Sequence, residues 1–278
     1  GLFQGMPEAL CEKYRNDPRR AVSFGLEASL AALTDAGLYG QDRLQADPER
    51  FGIAVGSSKG GMQALEDALA HPAEPIPAGT MENFFHHGAN SEIMRATGIC
   101  GPCVSLVSAC ATGAHSIVNG ARWILDDQAD YVLAGATESS LTPLVLGGFD
   151  RMGVLAKSAC RPYNSAREGF AIGEGAGVIV IEKLSSARRR RARVYAELAG
   201  WGIAGDAHKP VAFDPEGGGL ERAMLSCAKR AGTDVRDMDY INCHGTGTRE
   251  NDKLESSVFR RLLHGRPQTA ALSSTKPM

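Results

Sequence analysis

The stretch Val104-Ser-Leu-Val-Ser-Ala-Cys110-Ala-Thr-Gly-Ala-His-Ser-Ile117 changes its hydrophobic period in mid-course, and that change limits what the chain can fold into. Val104 to Ser108 alternates apolar and small polar residues and reads as a strand. From Ala111 to Leu125 the positions Ala114, Ile117, Val118, Ala121, Ile124 and Leu125 fall at helical spacing and read as a buried helix. Cys110 stands at the joint, with small residues on both sides (Ser108, Ala109, Ala111, Gly113) to allow a sharp turn. A thiol at such an elbow meets the positive end of the helix dipole, which favours thiolate. The free amides of the first turn also point at whatever the sulfur attacks. A buried structural cysteine explains the local pattern equally well, because free cysteine is among the most buried residue types.

The 278 residues suit one large domain or two of ordinary size. With 43% hydrophobic and 22% charged residues, the composition is that of a soluble globular chain with a substantial core. A net charge of -2 gives no reason to expect nucleic acid or a membrane surface as partner. No apolar run reaches membrane-spanning length, and no secretory signal opens the sequence. Seven cysteines, odd in number and irregularly spaced, point to a reducing, cytoplasmic setting rather than to a disulfide framework. Cys100-Gly-Pro-Cys103 spells a thioredoxin-type motif. That chemistry needs the motif to open a helix, whereas here it precedes a strand, so Gly101-Pro102 reads as a turn.

Along the chain, short buried strands alternate with helices. The pattern predicts helices over 20–36, 62–70, 83–97, 216–231 and 252–263. It predicts strands over 51–55, 104–108, 131–134, 193–204, 238–243 and 270–274. Residues 141–151 read as a loop or short helix. The glycines of 169–177 suggest a dinucleotide fingerprint, but a strand follows them where that fingerprint demands a helix. Two adjacent buried strands joined by a glycine-rich bend fit better. Gly56-Ser-Ser-Lys-Gly-Gly61 lacks the ending of a phosphate loop and reads as a turn. The arginines at 188–191 read as a solvated helix face. The alternation makes an α/β protein with helix-covered sheets.

Directly after the strand at 238–243 stands His244-Gly-Thr-Gly-Thr248. Cys110 and His244 thus each follow a buried strand on a glycine-containing turn, and residues at strand exits can converge in one crevice. A nucleophilic thiol with an imidazole suits acyl transfer. The threonine hydroxyls offer hydrogen bonds to a polar ligand arm.

Four motifs occur in order: Ser108-Ala-Cys110-Ala-Thr-Gly113; Gly169-Phe-Ala-Ile-Gly-Glu-Gly-Ala-Gly177; His244-Gly-Thr-Gly-Thr248 with Asp252, Lys253 and Glu255; and Ser273-Ser-Thr-Lys276. Together they resemble an elongating β-ketoacyl-acyl carrier protein synthase of the thiolase superfamily, over nearly the whole chain. The resemblance implies a thiolase-like layered α-β-α-β-α fold, here lacking the first strand and the C-terminal part. It implies a single domain over 1–278, with a first half at roughly 1–192 and the start of a second at roughly 193–278. The implied reaction is decarboxylative condensation of an acyl thioester on Cys110 with malonyl-carrier protein, giving 3-oxoacyl-carrier protein in fatty acid or polyketide synthesis.

Within that resemblance, Cys110 corresponds to the nucleophile. His244 corresponds to one of two histidines that assist decarboxylation, and Lys276 to a lysine that supports the site electrostatically beside Asp252 and Glu255. Thr246 and Thr248 match the threonines that hold a phosphopantetheine arm, and Phe149 an acyl-pocket residue. Arg19 and Arg20 match basic positions that meet an acidic acyl carrier protein. The implied partners are that carrier protein and a second copy or a related subunit, with no metal, no membrane and no cofactor beyond the arm that arrives on the carrier. The second histidine and a glycine-rich loop would fall beyond Met278, so 1–278 is expected to be inactive alone. Two rivals share the fold. A non-catalytic chain-length-factor-like partner would lack the nucleophilic cysteine, and a degradative thiolase would carry a different histidine motif.

Overall fold

The computed structural model describes residues 17–73, 75, 76, 78–209, 212–265 and 270–278. Chain contacts divide it into two units. One runs to Leu146 and includes Gly173–Tyr195; the other joins Gly147–Ile172 to Ala196–Met278.

Among the described residues, the first element of the first unit is α1 (Arg20–Asp35). Asp17, two residues before the N-cap Arg19, accepts the Arg19 amide at 2.7 Å and the Ser23 hydroxyl at 2.6 Å. Gly37, at φ +67, ends it. A small ribbon of β1 (Tyr39–Gly40) and β2 (Arg43–Leu44) leads to β3 (Phe51–Gly56). After β3 come α2 (Met62–Ala70), α3 (Thr80–Phe84), α4 (Gly88–Thr97) and β4 (Cys103–Val104). Then follow α5 (Thr112–Leu125), β5 (Tyr131–Glu138) and α6 (Pro143–Arg151), within which the chain passes to the second unit. It returns for β6 (Gly175–Glu182) and α7 (Leu184–Arg189). The sheet order is β4-β3-β5-β6, parallel except for the antiparallel β5–β6 pair.

Alternation in β3 decides what covers each face. Phe51, Ile53 and Val55 point to one side and pack with Leu33 of α1, Ile93 of α4 and Leu133 of β5. Each is fully buried, worth about 1.5–3 kcal/mol apiece. The positions between are small: Gly52, Ala54 and Gly56. They let α5 lie close, so that a Cβ on Gly52 would come within 3.1 Å of the Trp123 ring. Ala54, Val132 and Ala134 join Ile124 of α5 in the core on that side.

The second unit contains α8 (Gly218–Ala231), β7 (Tyr240–Asn242), α9 (Arg249–Leu262) and β8 (Ala271–Ser273), with β7 and β8 paired in parallel. Leu155 and Phe170 form an isolated bridge in the same unit.

Several expectations are corrected. The ladder at 104–108 stops at Val104, whose carbonyl accepts Asn90 Nδ2 at 2.9 Å, while the Ser105 hydroxyl donates away from the sheet to His86 O at 2.7 Å. The helix expected over 83–97 is two helices, broken at Phe85–His87. Only one strand forms in 169–182, and it is not wholly buried, since Ile179 is 48% exposed. Residues 193–204 form no strand. Their backbone finds no ladder partner among the described residues, and Gly202 lies so close to α8 that a Cβ would fall on the Ala223 carbonyl. On the α5 stripe, Ala114 and Leu125 are exposed. The Cys100–Cys103 segment is a turn into β4, with Cys103 opposite Ile53. Among the described residues no helix is long and apolar enough to cross a membrane.

Candidate active site

Cys110 lies in a single turn of 3-10 helix, Ala109–Ala111, immediately ahead of α5. The turn is tight: Ala109 has φ +44, a left-handed conformation in which its Cβ crowds the carbonyl at a cost of roughly 1–2 kcal/mol. Thr112 closes it. Its hydroxyl accepts the Ser108 amide at 2.9 Å and donates to Ala109 O at 2.7 Å. Ser116 in turn donates to Thr112 O at 2.9 Å, and both Thr112 and Ser116 are buried. The elbow therefore stands on a rigid base while the Cys110 thiol is exposed. Cys100 and Cys103 are exposed too.

In the second unit, His244 follows β7 and starts a loop of alternating glycines. Gly245 (φ +47) and Gly247 (φ +76) take left-handed conformations, and a Cβ on Gly245 would sit 2.5 Å from that of Ser274. Two carboxylates of α9 hold this loop. Glu255 accepts the His244 amide at 2.7 Å, the Gly245 amide at 2.8 Å, the Tyr163 hydroxyl at 2.8 Å and Asn251 Nδ2 at 2.8 Å. Asp252 accepts the Gly247 amide at 3.1 Å, the Tyr163 amide at 2.7 Å and Asn251 Nδ2 at 3.2 Å, and pairs with Arg167 at 3.5 Å. The residues Asp252 and Glu255 are 1% and 4% exposed, so only this density of donors makes their burial tolerable.

Lys276 reaches the same histidine. Its ammonium donates to His244 O and lies 3.3 Å from His244 Nδ1. An ammonium can only donate, so Nδ1 is the acceptor and the imidazole proton sits on Nε2. Burial, and then the Lys276 charge, hold His244 below its ordinary range; Glu255 and Asp252 oppose them. Near neutral pH the ring is then a neutral imidazole with an Nε2–H donor. Thr246 and Thr248 hydrogen-bond each other at 2.8 Å, with Thr246 buried.

The model of the β-ketoacyl synthase N-terminal domain matches residues 13–187, and that of the C-terminal domain residues 195–278. The chain belongs to the β-ketoacyl synthase family.

Among curated β-ketoacyl synthases, it is 37% identical over 275 residues to 3-oxoacyl-[acyl-carrier-protein] synthase 2 of Coxiella burnetii, an alignment covering 92% of this chain. The chain spans 64% of that relative's length. Among solved structures, one titled as a type II polyketide synthase acyl-carrier protein in complex with its ketosynthase bound to the hexaketide matches with a TM-score of 0.86. The identity is 28%, and the match covers 94% of this chain and 67% of that one. The ishigamide ketosynthase/chain length factor matches with a TM-score of 0.81 at 28% identity, over 93% of this chain and 64% of that one. These ketosynthase neighbours carry the thiolase-like α/β fold.

Within this β-ketoacyl synthase chain the remaining expected residues divide. His244, Thr246, Thr248, Asp252, Glu255 and Lys276 form one cluster in the second unit. Asp252 and Glu255 spend their hydrogen bonds on the loop backbone and its neighbours, and Lys276 meets His244 itself. Phe149, half-buried, packs edge-to-face on Phe170 with ring centroids 5.4 Å apart. Arg20 is corrected as a docking residue: it is buried and ion-paired to Glu174 at 3.0 Å, so its charge is turned inward. Arg19 is exposed.

Four positioning residues were missed from sequence: Thr112, Tyr163, Arg167 and Asn251. A signal existed for Asn251. The inward stripe of α9 runs Asn251, Asp252, Glu255, Val258, Phe259, polar in its first turn where a core helix would be apolar.

Proposed function

We propose that this β-ketoacyl synthase chain carries the acyl-transfer and decarboxylation groups of a 3-oxoacyl-[acyl-carrier-protein] synthase. The Cys110 thiolate attacks the carbonyl carbon of an acyl-carrier protein thioester. A new C–S bond forms, the thioester C–S bond breaks, and the phosphopantetheine sulfur leaves with the carrier as thiolate, to be protonated by water. Malonyl-carrier protein then loses carbon dioxide, and the electron pair of the broken C–C bond passes into an enolate at the thioester oxygen. The Nε2–H of His244 donates to that oxygen. The enolate carbon attacks the acyl-Cys110 carbonyl, a C–C bond forms, and the Cys110 sulfur leaves as thiolate. Thr246 and Thr248 receive the phosphopantetheine arm, Phe149 borders the acyl chain, and Arg19 meets the acidic carrier.

The observation that carries this reading is the Lys276–His244 contact, which sets the imidazole as a neutral Nε2 donor. An exposed thiol on the Thr112-braced elbow supports it. The partners are an acyl carrier protein and a second subunit, either a copy of this chain or a relative. Solved relatives titled as ketosynthase with acyl-carrier protein and as ketosynthase/chain length factor support both. The proposed reaction calls for no cofactor of the protein's own, and a cytoplasmic setting is part of this reading.

The test supplies the intact protein with acyl- and malonyl-carrier protein and follows carbon dioxide and 3-oxoacyl product. His244→Ala is expected to lower the rate about a hundredfold to a thousandfold. Cleavage of a 3-oxoacyl thioester by coenzyme A, with no release of carbon dioxide, would replace this reading with a degradative one.

A further inference from the structure

Tyr163 stands in no motif, yet it touches both carboxylates that hold the His244 loop. Its amide donates to Asp252 at 2.7 Å and its hydroxyl to Glu255 at 2.8 Å. To make both bonds it adopts φ +63, a conformation costly for a bulky side chain. Its ring edge lies against the loop, so that a Cβ on Gly245 would come 3.2 Å from Tyr163 Cε2. The ring also borders a cavity of about 440 Å³, shared with Phe259, Leu263 and Leu272. A ring with open space beside it is held by its hydroxyl more than by packing. Strained backbone of this kind persists where the surroundings over-determine it, and here the surroundings are the two carboxylates.

We propose that Tyr163 is a positioning residue for His244: by donating to Glu255 it fixes the carboxylate that holds the His244–Gly245 backbone, and it takes up part of that carboxylate's charge. The proposal rests on His244 as the donor in decarboxylation.

The groups around His244 give the effect its sign. Lys276, from the segment after β8, disfavours the imidazolium. Glu255 and Asp252, both from α9, favour it. Arg167 pairs with Asp252, and Cys243 lies beside Tyr163 and Glu255. Burial first, then Cys243 and Glu255, hold the Tyr163 phenol far above its ordinary range, so it stays protonated and donates at every working pH. Removing that donated bond leaves more negative potential at His244 and loosens the loop toward water. Both changes favour the imidazolium.

The test is a carbon-13 histidine NMR titration of the intact protein with Tyr163→Phe. His244 is expected to titrate about 0.5–1 pH unit higher than in the parent protein. The acid limb of malonyl-carrier protein decarboxylation should move the same way, in kcat and not in KM. In a Glu255→Gln background the same substitution should add nothing. Replacement of Tyr163 by 3-fluorotyrosine keeps the shape and strengthens the donor; it should move His244 down, which covers the case in which Tyr163→Phe fails to fold. An unchanged His244 titration with a folded Tyr163→Phe, or no downward shift with the fluorinated residue, overturns the proposal. The NMR readout needs no turnover. A parent protein that releases no carbon dioxide would therefore refute the functional reading while the titration still decides the role of Tyr163.

Discussion

Gly56 ends β3 directly beneath the Cys110 elbow, and Gly56→Ala tests whether the elbow's position matters. The new Cβ would lie 2.5 Å from Leu106 O, closer still to Thr112 Cγ2, and 3.1 Å from Ser116 Oγ. Ordinary contact for a Cβ begins near 3.4 Å, so the facing atoms must retreat by roughly 1 Å. They cannot do so locally. Leu106 O is main chain, and Thr112 carries both hydrogen bonds that close the turn at Ala109. The displacement therefore passes into residues 106–112 and carries Cys110 with it. Overpacking of this kind costs about 1–3 kcal/mol. Misplacing a reacting atom by about 1 Å costs on the order of a hundredfold in rate. The assay pairs urea denaturation with a time course of Cys110 acylation by acyl-carrier protein. Gly52→Ala is the control, meeting the Trp123 ring at 3.1 Å and Pro102 O at 3.3 Å, away from the elbow. It should lose some stability and keep the acylation rate. Parent stability and parent rate in Gly56→Ala would refute the reasoning.

Other consequences follow from the buried charges. Arg20→Ala leaves the Glu174 carboxylate buried with, among the described residues, the Ser139 hydroxyl and Leu141 amide as donors, and should cost about 3–5 kcal/mol in chemical denaturation. Arg19→Ala, at an exposed site, should change stability by less than about 0.5 kcal/mol. Because folding holds His244 below its ordinary value of 6.5, the unfolded chain takes up that proton first as pH falls. The contribution of His244 is then present above pH 6.5 and lost as pH drops through the window beneath it. Denaturation curves across that window should be flatter for His244→Gln than for the parent protein.

Much of the frame was legible because it rests on local periodicity. Helices at 20–35, 62–70 and 218–231 and strands at 51–56 and 131–138 lie close to where apolar spacing and glycine stops put them. The elbow was legible because its period changes at Cys110. Less legible was whatever depends on a distant partner. A strand is a pairing, and the apolar run at 193–204 has no described neighbour to pair with. At 104–108 the side chain of Asn90 takes the Val104 carbonyl that a ladder would use. The bracing of His244 was hidden for the same reason: Tyr163 lies 89 residues from Asp252 and 92 from Glu255, and no periodicity joins them. Arg20 misled because a basic helix start reads as solvated until Glu174 is seen beside it.

The central claim is that Cys110 is the residue on which the acyl group is carried. The most direct measurement incubates the intact protein with an acyl-carrier protein thioester, then locates the adduct by peptide mass spectrometry. Competition among thiols is built in, since Cys100, Cys103 and Cys110 are all exposed residues. The acyl mass is predicted on the Cys110 peptide, with release of the carrier's free thiol and loss of the adduct in Cys110→Ala. Acylation of Cys100 or Cys103 in place of Cys110, or a folded protein that takes up no acyl group, would contradict the account.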